Sequence, residues 1–251
     1  MSEIITIANQ KGGVGKTTTS HALSTGLAAR GYKVLALDLD PQANLTDWFG
    51  KEDAELSISE VFNKVCPIRD AIAPTDEGVD IIPGSIMLAG ADRKYSHTGC
   101  EYMVKEMLED IKADYDFIII DTPPSLGVLN LNALAATDKL IVVLTPDAFA
   151  LKGLGQLMDS VSTTRKYLQN PTLKVDGLLL TMCDKTVVSS VASSDAEMAA
   201  KMLETKIFQS TIRRGVAVRD AQYEGISLLE KAGSGVMSDY NNFIDELLKE
   251  V

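Results

Sequence analysis

The chain has 251 residues, of which 45% are hydrophobic and 24% charged, and its formal net charge is −11. This composition is typical of globular proteins and excludes long disordered or low-complexity segments. The acidic balance argues against uniform electrostatic adhesion to nucleic acid or to anionic lipid. No apolar run approaches the roughly 20 residues that span a bilayer, so the sequence predicts a soluble, cytoplasmic protein with no membrane association.

Short apolar runs of strand length recur along the chain between amphipathic segments of helix length. Several of them are apolar without alternation, which is typical of strands covered on both faces. The six runs are IITIAN, KVLALDLD, VDIIPG, DFIIID, KLIVVLTP and VDGLLLTM. No linker or repeat interrupts the pattern, so we predict one domain over residues 1–251. Its predicted class is α/β, with a doubly wound, mainly parallel β-sheet flanked by helices.

Helical signals lie between these runs. Residues 17–30 end before Gly31, Ser57 and Glu60 form a possible capping box, and residues 151–168 repeat apolar positions at helical spacing.

The last segment, VMSDYNNFIDELLKEV, combines an apolar stripe with an acidic face. The stripe consists of Val236, Tyr240, Phe243, Ile244, Leu247 and Val251. A membrane-surface helix would carry Lys and Arg on its polar face, so we predict that this helix packs on the core.

Three cysteines and two histidines lie far apart in the sequence, without a CxxC pair. They are Cys66, Cys100, Cys183, His21 and His97. The spacing does not suit a metal site, so we predict structural thiols and assign the histidines no role.

A glycine-rich stretch, NQKGGVGKTTT at positions 9–19, follows the first predicted strand and precedes the first predicted helix. In this context backbone N–H groups converge on phosphate oxygens at the positive end of the helix. Lys16 is expected to reach the β- and γ-phosphates of ATP, and the Thr17 hydroxyl to coordinate a bridging Mg²⁺. The predicted nucleotide-binding residues are Lys11, Gly12, Gly13, Val14, Gly15, Lys16, Thr17 and Thr18.

This stretch departs from the strict pattern GxxxxGK[ST], because Gln10 stands where glycine is required and Lys11 follows it. KGGVGKTT resembles the deviant Walker A motif of SIMIBI-class P-loop proteins, and in particular the ParA/Soj group of DNA-partitioning ATPases, related to MinD. The resemblance implies that Lys11 crosses the interface of an ATP-bound dimer to the partner's nucleotide. A second cation there would offset transition-state charge, as an arginine finger does. The alternative is a solvated loop lysine.

Carboxylates end two of the predicted strands. LALDLDPQANLT, residues 35–46, resembles the family's switch I motif DxDPQ. We assign Asp40 to the attacking water, and Asp38 to an auxiliary metal-shell or hydrogen-bonding role.

DFIIIDTPPSLG resembles the Walker B strand followed by switch II, and it gives Asp121 as a Mg²⁺ carboxylate. The predicted catalytic residues are thus Lys11, Lys16 and Asp40, and the predicted metal residues are Thr17, Asp40 and Asp121.

Later segments extend the resemblance. LLLTMCD resembles the family's base-contacting segment, with Asp184 at the matching position; a surface aspartate is the alternative. The stretch SLGVLNLNALAATDKLIVVLTP looks like the ParA branch. That branch implies an ATP-dependent homodimer that binds DNA non-specifically and partitions plasmids or chromosomes with a ParB-type centromere-binding partner. Its location would be the nucleoid when ATP is bound.

A basic run supplies candidate DNA contacts. Between positions 206 and 219 there are four cations and no acid, namely Lys206, Arg213, Arg214 and Arg219. If a dimer brought about eight such cations to phosphates, log K would fall with log[salt] with a slope of roughly −7. The alternative is a solvated charged face.

Other functions remain open at this point. A ParA-like ATPase could position a protein cargo on the nucleoid. A MinD-like membrane ATPase should end in a basic amphipathic helix, and a nitrogenase iron-protein relative needs cluster cysteines at positions that Cys66, Cys100 and Cys183 do not match. A P-loop metabolic kinase would phosphorylate an acceptor instead of hydrolysing ATP in a dimer.

Overall fold

The computed structural model describes residues 2–146, 150–183, 191–231 and 233–249. Its strands are β1 Glu3–Ala8, β2 Val34–Asp38, β3 Ala73–Pro74, β4 Asp80–Ile82, β5 Phe117–Asp121, β6 Lys139–Leu144, β7 Lys174–Cys183 and β8 Ile207–Arg213. They form one sheet in the order β3-β4-β2-β5-β1-β6-β7-β8. Only the β3–β4 pair is antiparallel in this described sheet. The predicted α/β class with a mainly parallel sheet is confirmed.

Helices cover both faces of this sheet. They are α1 Lys16–Ala28, α2 Asn44–Trp48, α3 Ile58–Phe62, α4 Ala91–Lys94, α5 Met103–Glu109, α6 Val128–Ala136, α7 Ala150–Tyr167, α8 Val191–Met202, α9 Ala217–Glu224 and α10 Gly235–Leu248. Alternation along β5 divides the core: Ile119 joins the cluster with α1 and α10, whereas Ile118 and Ile120 join the cluster with α3 to α6. All three side chains are fully buried, as expected for a strand between two helical layers.

The predicted strands and helices correspond closely to observed elements. The six apolar runs are β1, β2, β4, β5, β6 and β7. The capping box at the start of α3 forms, because the Ser57 hydroxyl accepts from the Ser59 N–H while Glu60 accepts from the Ser57 N–H. The stripe of α10 is buried from Val236 to Leu247, which confirms packing on the core; Val251 lies outside the described residues.

Two strands were not predicted, β3 and β8. The segment IFQSTIR of β8 lies at the edge of the sheet and alternates only partly, since Gln209 and Arg213 are exposed and only Phe208 and Ile212 are buried. Its outward N–H groups are satisfied by α10: Glu246 accepts from Gln209 and Ser210 at 2.7 and 2.8 Å, and Asp239 accepts from Arg213 at 2.9 Å.

Among the helices that the structure describes, none is both long and apolar enough to cross a membrane.

Candidate phosphate-binding site

The glycine-rich loop follows the carboxyl end of β1, an interior strand between β5 and β6. Asn9 holds the start of the loop, because its Nδ2 donates to the Val143 carbonyl at 2.6 Å and its Oδ1 accepts from the Lys11 N–H at 2.9 Å. The Thr181 hydroxyl donates to the Val14 carbonyl at 2.7 Å. The side chains of Asn9 and Thr181 thus hold the loop against β6 and β7.

The loop backbone is open toward solvent. Gly13 and Gly15 have φ values of 72° and 91°, a region that favours glycine. A Cβ at Gly12 or Gly13 would meet no atom within 4 Å. Helix α1 then begins without a side-chain cap and without an acidic residue in its first turn, so its positive end is exposed to the loop. This arrangement suits a polyphosphate.

The two lysines of the loop differ in environment. Lys16 is only 6% exposed, and its ammonium lies 3.4 Å from the Lys11 carbonyl. Burial lowers the pKa of Lys16, while the charges of Asp121 and Asp40 act in the opposite direction. Lys11 lies exposed on the outer side of the loop. Lys16 is therefore enclosed beneath the loop, whereas Lys11 is exposed to solvent.

Asp121 ends β5 beneath α1 and is fully buried. Its Oδ2 accepts from the Thr17 hydroxyl at 2.7 Å and its Oδ1 from the Ser20 hydroxyl at 2.9 Å. Burial raises the pKa of Asp121, and both hydrogen bonds oppose that shift. The structure thus brings Thr17 and Asp121 together as predicted. Ser20 was missed, although its place one turn after Thr17 on the same helix face was a signal.

The switch I carboxylates occupy the neighbouring strand end. Asp38 is 0% exposed and Asp40 7% exposed. Asp38 Oδ1 accepts from the Asp40 N–H at 3.0 Å, and Asp40 Oδ1 accepts from the Gln42 N–H at 2.9 Å. Burial and the nearby Asp121 charge raise the pKa of Asp38. Asp38 accepts hydrogen bonds from Asp40 and Thr46, and a metal-shell role stays a prediction.

The donor set fits a magnesium nucleotide. In residues 2–146, 150–183, 191–231 and 233–249, no group of three His, Cys, Asp or Glu side chains is arranged to hold a metal alone. Mg²⁺ suits such a site, since it takes one or two protein oxygens and fills its shell with water and phosphate oxygens. Thr17 and Asp121, which lie side by side, would supply those oxygens. In addition, Gln10 Nε2 at the loop entrance is buried without a hydrogen-bond partner among the described residues.

A cleft of about 590 Å³ adjoins the loop on the side of β7 and β8. Met182 at its floor has a φ of 54°, an uncommon left-handed conformation for a residue other than glycine. The cleft is lined by Gly15, Thr18, Thr181, Met182, Ile212, Arg213, Arg214, Gly215, Val216, Val218, Arg219, Gln222 and Tyr240. Asp184, the predicted base contact, lies outside the described residues.

The four predicted DNA contacts do not form one cluster. Lys206 precedes β8, with its ammonium 4.7 Å from the Phe208 ring centroid, whereas Arg213 ends that strand. At ~3.3 Å per residue the two positions are about 23 Å apart. The Arg213 guanidinium donates to Asp239 through Nε at 2.7 Å and Nη2 at 2.8 Å. Arg214 and Arg219 are exposed beside the cleft.

Comparison with known proteins gives a consistent set of relatives. Residues 2–175 match the family described as an AAA domain. The sporulation initiation inhibitor protein Soj of Bacillus subtilis is 41% identical over 229 residues, covering 90% of this chain and 89% of Soj. The chromosome partitioning protein ParA of Caulobacter vibrioides is 38% identical over 232 residues, covering 90% of this chain and 86% of ParA.

A solved structure matches as well. Cobyrinic acid a,c-diamide synthase from Mycobacterium smegmatis, with bound ATP analogue and magnesium, has a TM-score of 0.87 and 34% identity, and covers 100% of this chain and 95% of that one.

Proposed function

Because this chain belongs to the ParA-type family of P-loop ATPases, we propose that it is an ATP-driven switch for partitioning plasmids or chromosomes. The chain is an ATPase that uses ATP and Mg²⁺. In the proposed cycle, ATP binding makes a homodimer, the dimer binds DNA non-specifically on the nucleoid, and a ParB-type partner stimulates hydrolysis and release. Residues 1–251 would act as one ATPase domain, which the single described sheet supports.

The contrast between the buried Lys16 and the exposed Lys11 carries this proposal. Lys16 and the N–H groups of residues 12–18 bind the phosphates from within the subunit. Lys11 reaches the nucleotide of the second subunit and neutralises developing charge there. Asp40 orients the attacking water and accepts its proton. Thr17 and Asp121 would hold Mg²⁺, with Asp40 near, and the ion would neutralise phosphate charge.

The nucleobase of ATP would occupy the cleft beside the loop. The cleft begins at Gly15 and Thr18, so a base attached to phosphates in the loop can enter it. Ile212, Val216 and Val218 give it an apolar wall, which suits a flat aromatic ring. Asp184 stays a predicted base contact.

Arg214 and Arg219 are the strongest of the four DNA-contact candidates. Both are exposed, whereas the Arg213 guanidinium is engaged by Asp239 and Lys206 lies at the other end of β8. Two arginines per subunit bind DNA weakly, and a dimer doubles the number of phosphates neutralised. ATP-dependent dimerisation would thereby control DNA binding.

The test is sedimentation with defined nucleotides. Asp40→Ala, which should bind ATP without turning it over, is expected to sediment as a dimer with ATP and as a monomer with ADP. Lys16→Ala should bind neither nucleotide, since it removes the buried ammonium. Lys11→Ala in the Asp40→Ala background should bind ATP but remain a monomer. Lys33→Ala is the matched control, because Lys33 is an exposed lysine that precedes the amino end of β2.

Other results would point to other functions. A monomeric, ATP-loaded Asp40→Ala protein at micromolar concentration would reject the dimer switch. Hydrolysis that requires an acceptor, with phosphorylated or amidated product, would favour a metabolic enzyme, the class suggested by the synthase name of one structural relative. Sedimentation with lipid vesicles would favour a MinD-like role, and recovery of a protein cargo in place of centromere DNA would favour cargo positioning.

A further inference from the structure

A buried hydroxyl connects switch I with the end of β4. Thr46 lies on α2 and is 2% exposed. Its hydroxyl donates to Asp38 Oδ2 at 2.8 Å and accepts from the Gly84 N–H, also at 2.8 Å. The Thr46 backbone N–H donates to the same Asp38 oxygen at 3.0 Å. The Thr46 hydroxyl therefore donates one hydrogen bond to Asp38 at the end of β2 and accepts one from Gly84, which follows β4.

The other oxygen of Asp38 holds the backbone of Asp40. Asp38 Oδ1 accepts from the Asp40 N–H at 3.0 Å. A continuous chain of hydrogen bonds thus runs from Gly84 through the Thr46 hydroxyl and the Asp38 carboxylate to Asp40. Because the chain is buried, water cannot replace a missing member without cost, and each bond restrains the next.

We propose that Thr46 is a positioning residue for ATP hydrolysis: acting through Asp38, it holds Asp40 where the Asp40 carboxylate meets the attacking water. The inference rests on the proposed function, in which Asp40 acts on that water. Thr46 itself is too far inside the fold to touch substrate, since it faces Asp38 and Gly84. Small displacements of a reacting group are costly, with 1 Å worth about 100-fold in rate.

Gly84 offers a second way to disturb the same chain. A Cβ at this position would lie 2.9 Å from Asp38 Cγ and 3.1 Å from Asp38 Oδ2. The carboxylate accepts three hydrogen bonds and cannot move aside without losing some of them. Gly84→Ala is therefore expected to displace Asp38 without removing any polar atom.

The experiment compares Gly84→Ala with three further variants. Each is measured by steady-state ATP hydrolysis and by affinity for a fluorescent ADP analogue. Thr46→Val replaces the hydroxyl with a methyl group, and Thr46→Ser keeps it. Thr164→Val is the matched control, because Thr164 on α7 is 0% exposed and its hydroxyl has no hydrogen-bond partner among the described residues. Thermal unfolding of each variant sets an assay temperature at which all of them are folded.

We expect Thr46→Val and Gly84→Ala to lower kcat by roughly 10- to 100-fold, with nucleotide affinity changed by less than about twofold. Thr46→Ser should recover most of the lost kcat, and Thr164→Val should match the wild type. A merely structural role would change stability and nucleotide affinity together. It would not lower kcat while leaving nucleotide affinity unchanged.

Three results would overturn the inference: a wild-type kcat in Thr46→Val, a low kcat that Thr46→Ser does not restore, or a loss of nucleotide affinity as large as the loss of kcat. Failure of the proposed function is distinguishable, because it would appear as wild-type turnover in Asp40→Ala. An inactive Asp40→Ala beside a fully active Thr46→Val would reject the role of Thr46 alone.

Discussion

The His21 side chain lies where α1 packs against α2. Its ring is 0% exposed and lies against Trp48 and Phe49, with centroid distances of 4.2 and 4.4 Å. Neither ring nitrogen has a hydrogen-bond partner in the described part of the chain, and Glu77 Oε1 lies 4.0 Å from Nε2. Aromatic residues distant in sequence therefore enclose His21, a contact that the sequence did not predict.

Replacing His21 with Phe should reduce the acid sensitivity of the fold. Burial lowers the pKa of His21 to about 3, whereas the unfolded chain has a histidine pKa near 6.5. Between these values the unfolded state binds the extra proton, so stability is lost as pH falls. From pH 7 to pH 5, wild type should lose about 2 kcal/mol more free energy of unfolding than His21→Phe. Urea unfolding at both pH values measures this.

The buried carboxylates Asp38 and Asp121 are common to both proteins, so their contributions cancel in the comparison. Equal losses in the two proteins would show that the imidazole is accessible to protons in the folded state.

At the scale of elements, α10 packs against both α1 and β8. Phe243, Ile244 and Leu247 of α10 are fully buried. Gly26 of α1 lets the two helices approach, because a Cβ there would overlap Ile244 Cδ1 and lie 2.9 Å from Leu229 Cδ1. The same helix also contacts the edge strand β8, because Asp239 and Glu246 accept hydrogen bonds from its backbone N–H groups. Tertiary contact, more than helix propensity, therefore determines residue choice at the α1–α10 crossing.

Two helix glycines should respond in opposite directions to the same substitution. Gly26→Ala should lower the free energy of unfolding by about 1–3 kcal/mol, since Ile244 is β-branched and enclosed. Gly155→Ala in α7 should raise it by about 0.5–1 kcal/mol, because a Cβ there meets nothing within 4 Å. Denaturant titration compares them. Adding Ile244→Val, which removes the overlapping methyl, should restore part of the Gly26→Ala loss; no recovery would place the strain elsewhere.

At the scale of the whole molecule, charge is distributed unevenly. The net charge is −11, yet Arg214 and Arg219 are exposed beside the cleft that adjoins the glycine-rich loop. Arg213 is a poor position for a charge-reversing substitution. A glutamate there would face Asp239 across the β8–α10 contact, and the two negative charges would repel. A change confined to Arg214 and Arg219 tests DNA binding without disturbing that contact.

Arg214→Glu with Arg219→Glu should weaken ATP-dependent DNA retention. With two arginines from each subunit of a dimer, log K of the wild type should fall with log[salt] with a slope of about −4, and the variant's slope should approach zero. Gel retardation at several salt concentrations, with ATP and with ADP, measures both slopes. Lys166→Glu with Lys201→Glu, two exposed lysines on α7 and α8, is the control of equal charge.

Both arginines also line the cleft, so nucleotide affinity must be measured in parallel. Lost nucleotide binding would make them base-site residues, and unchanged DNA retention would move the DNA surface elsewhere.

The sequence by itself determined the α/β class, six of the seven parallel strands and the predicted phosphate site. Each of these leaves a local signal: an apolar run, a glycine-rich turn before a helix, or an acidic residue at a strand end. Lys16, Thr17 and Asp121 could be named because the carboxyl ends of parallel strands meet at one edge. Only the tertiary structure decided the contacts of Ser20, His21 and Thr46, the pairing of Arg213 with Asp239, and the edge strand β8. Those outcomes depend on partners far away in the chain, and hydrophobic periodicity carries no information about which distant residue a polar side chain will meet.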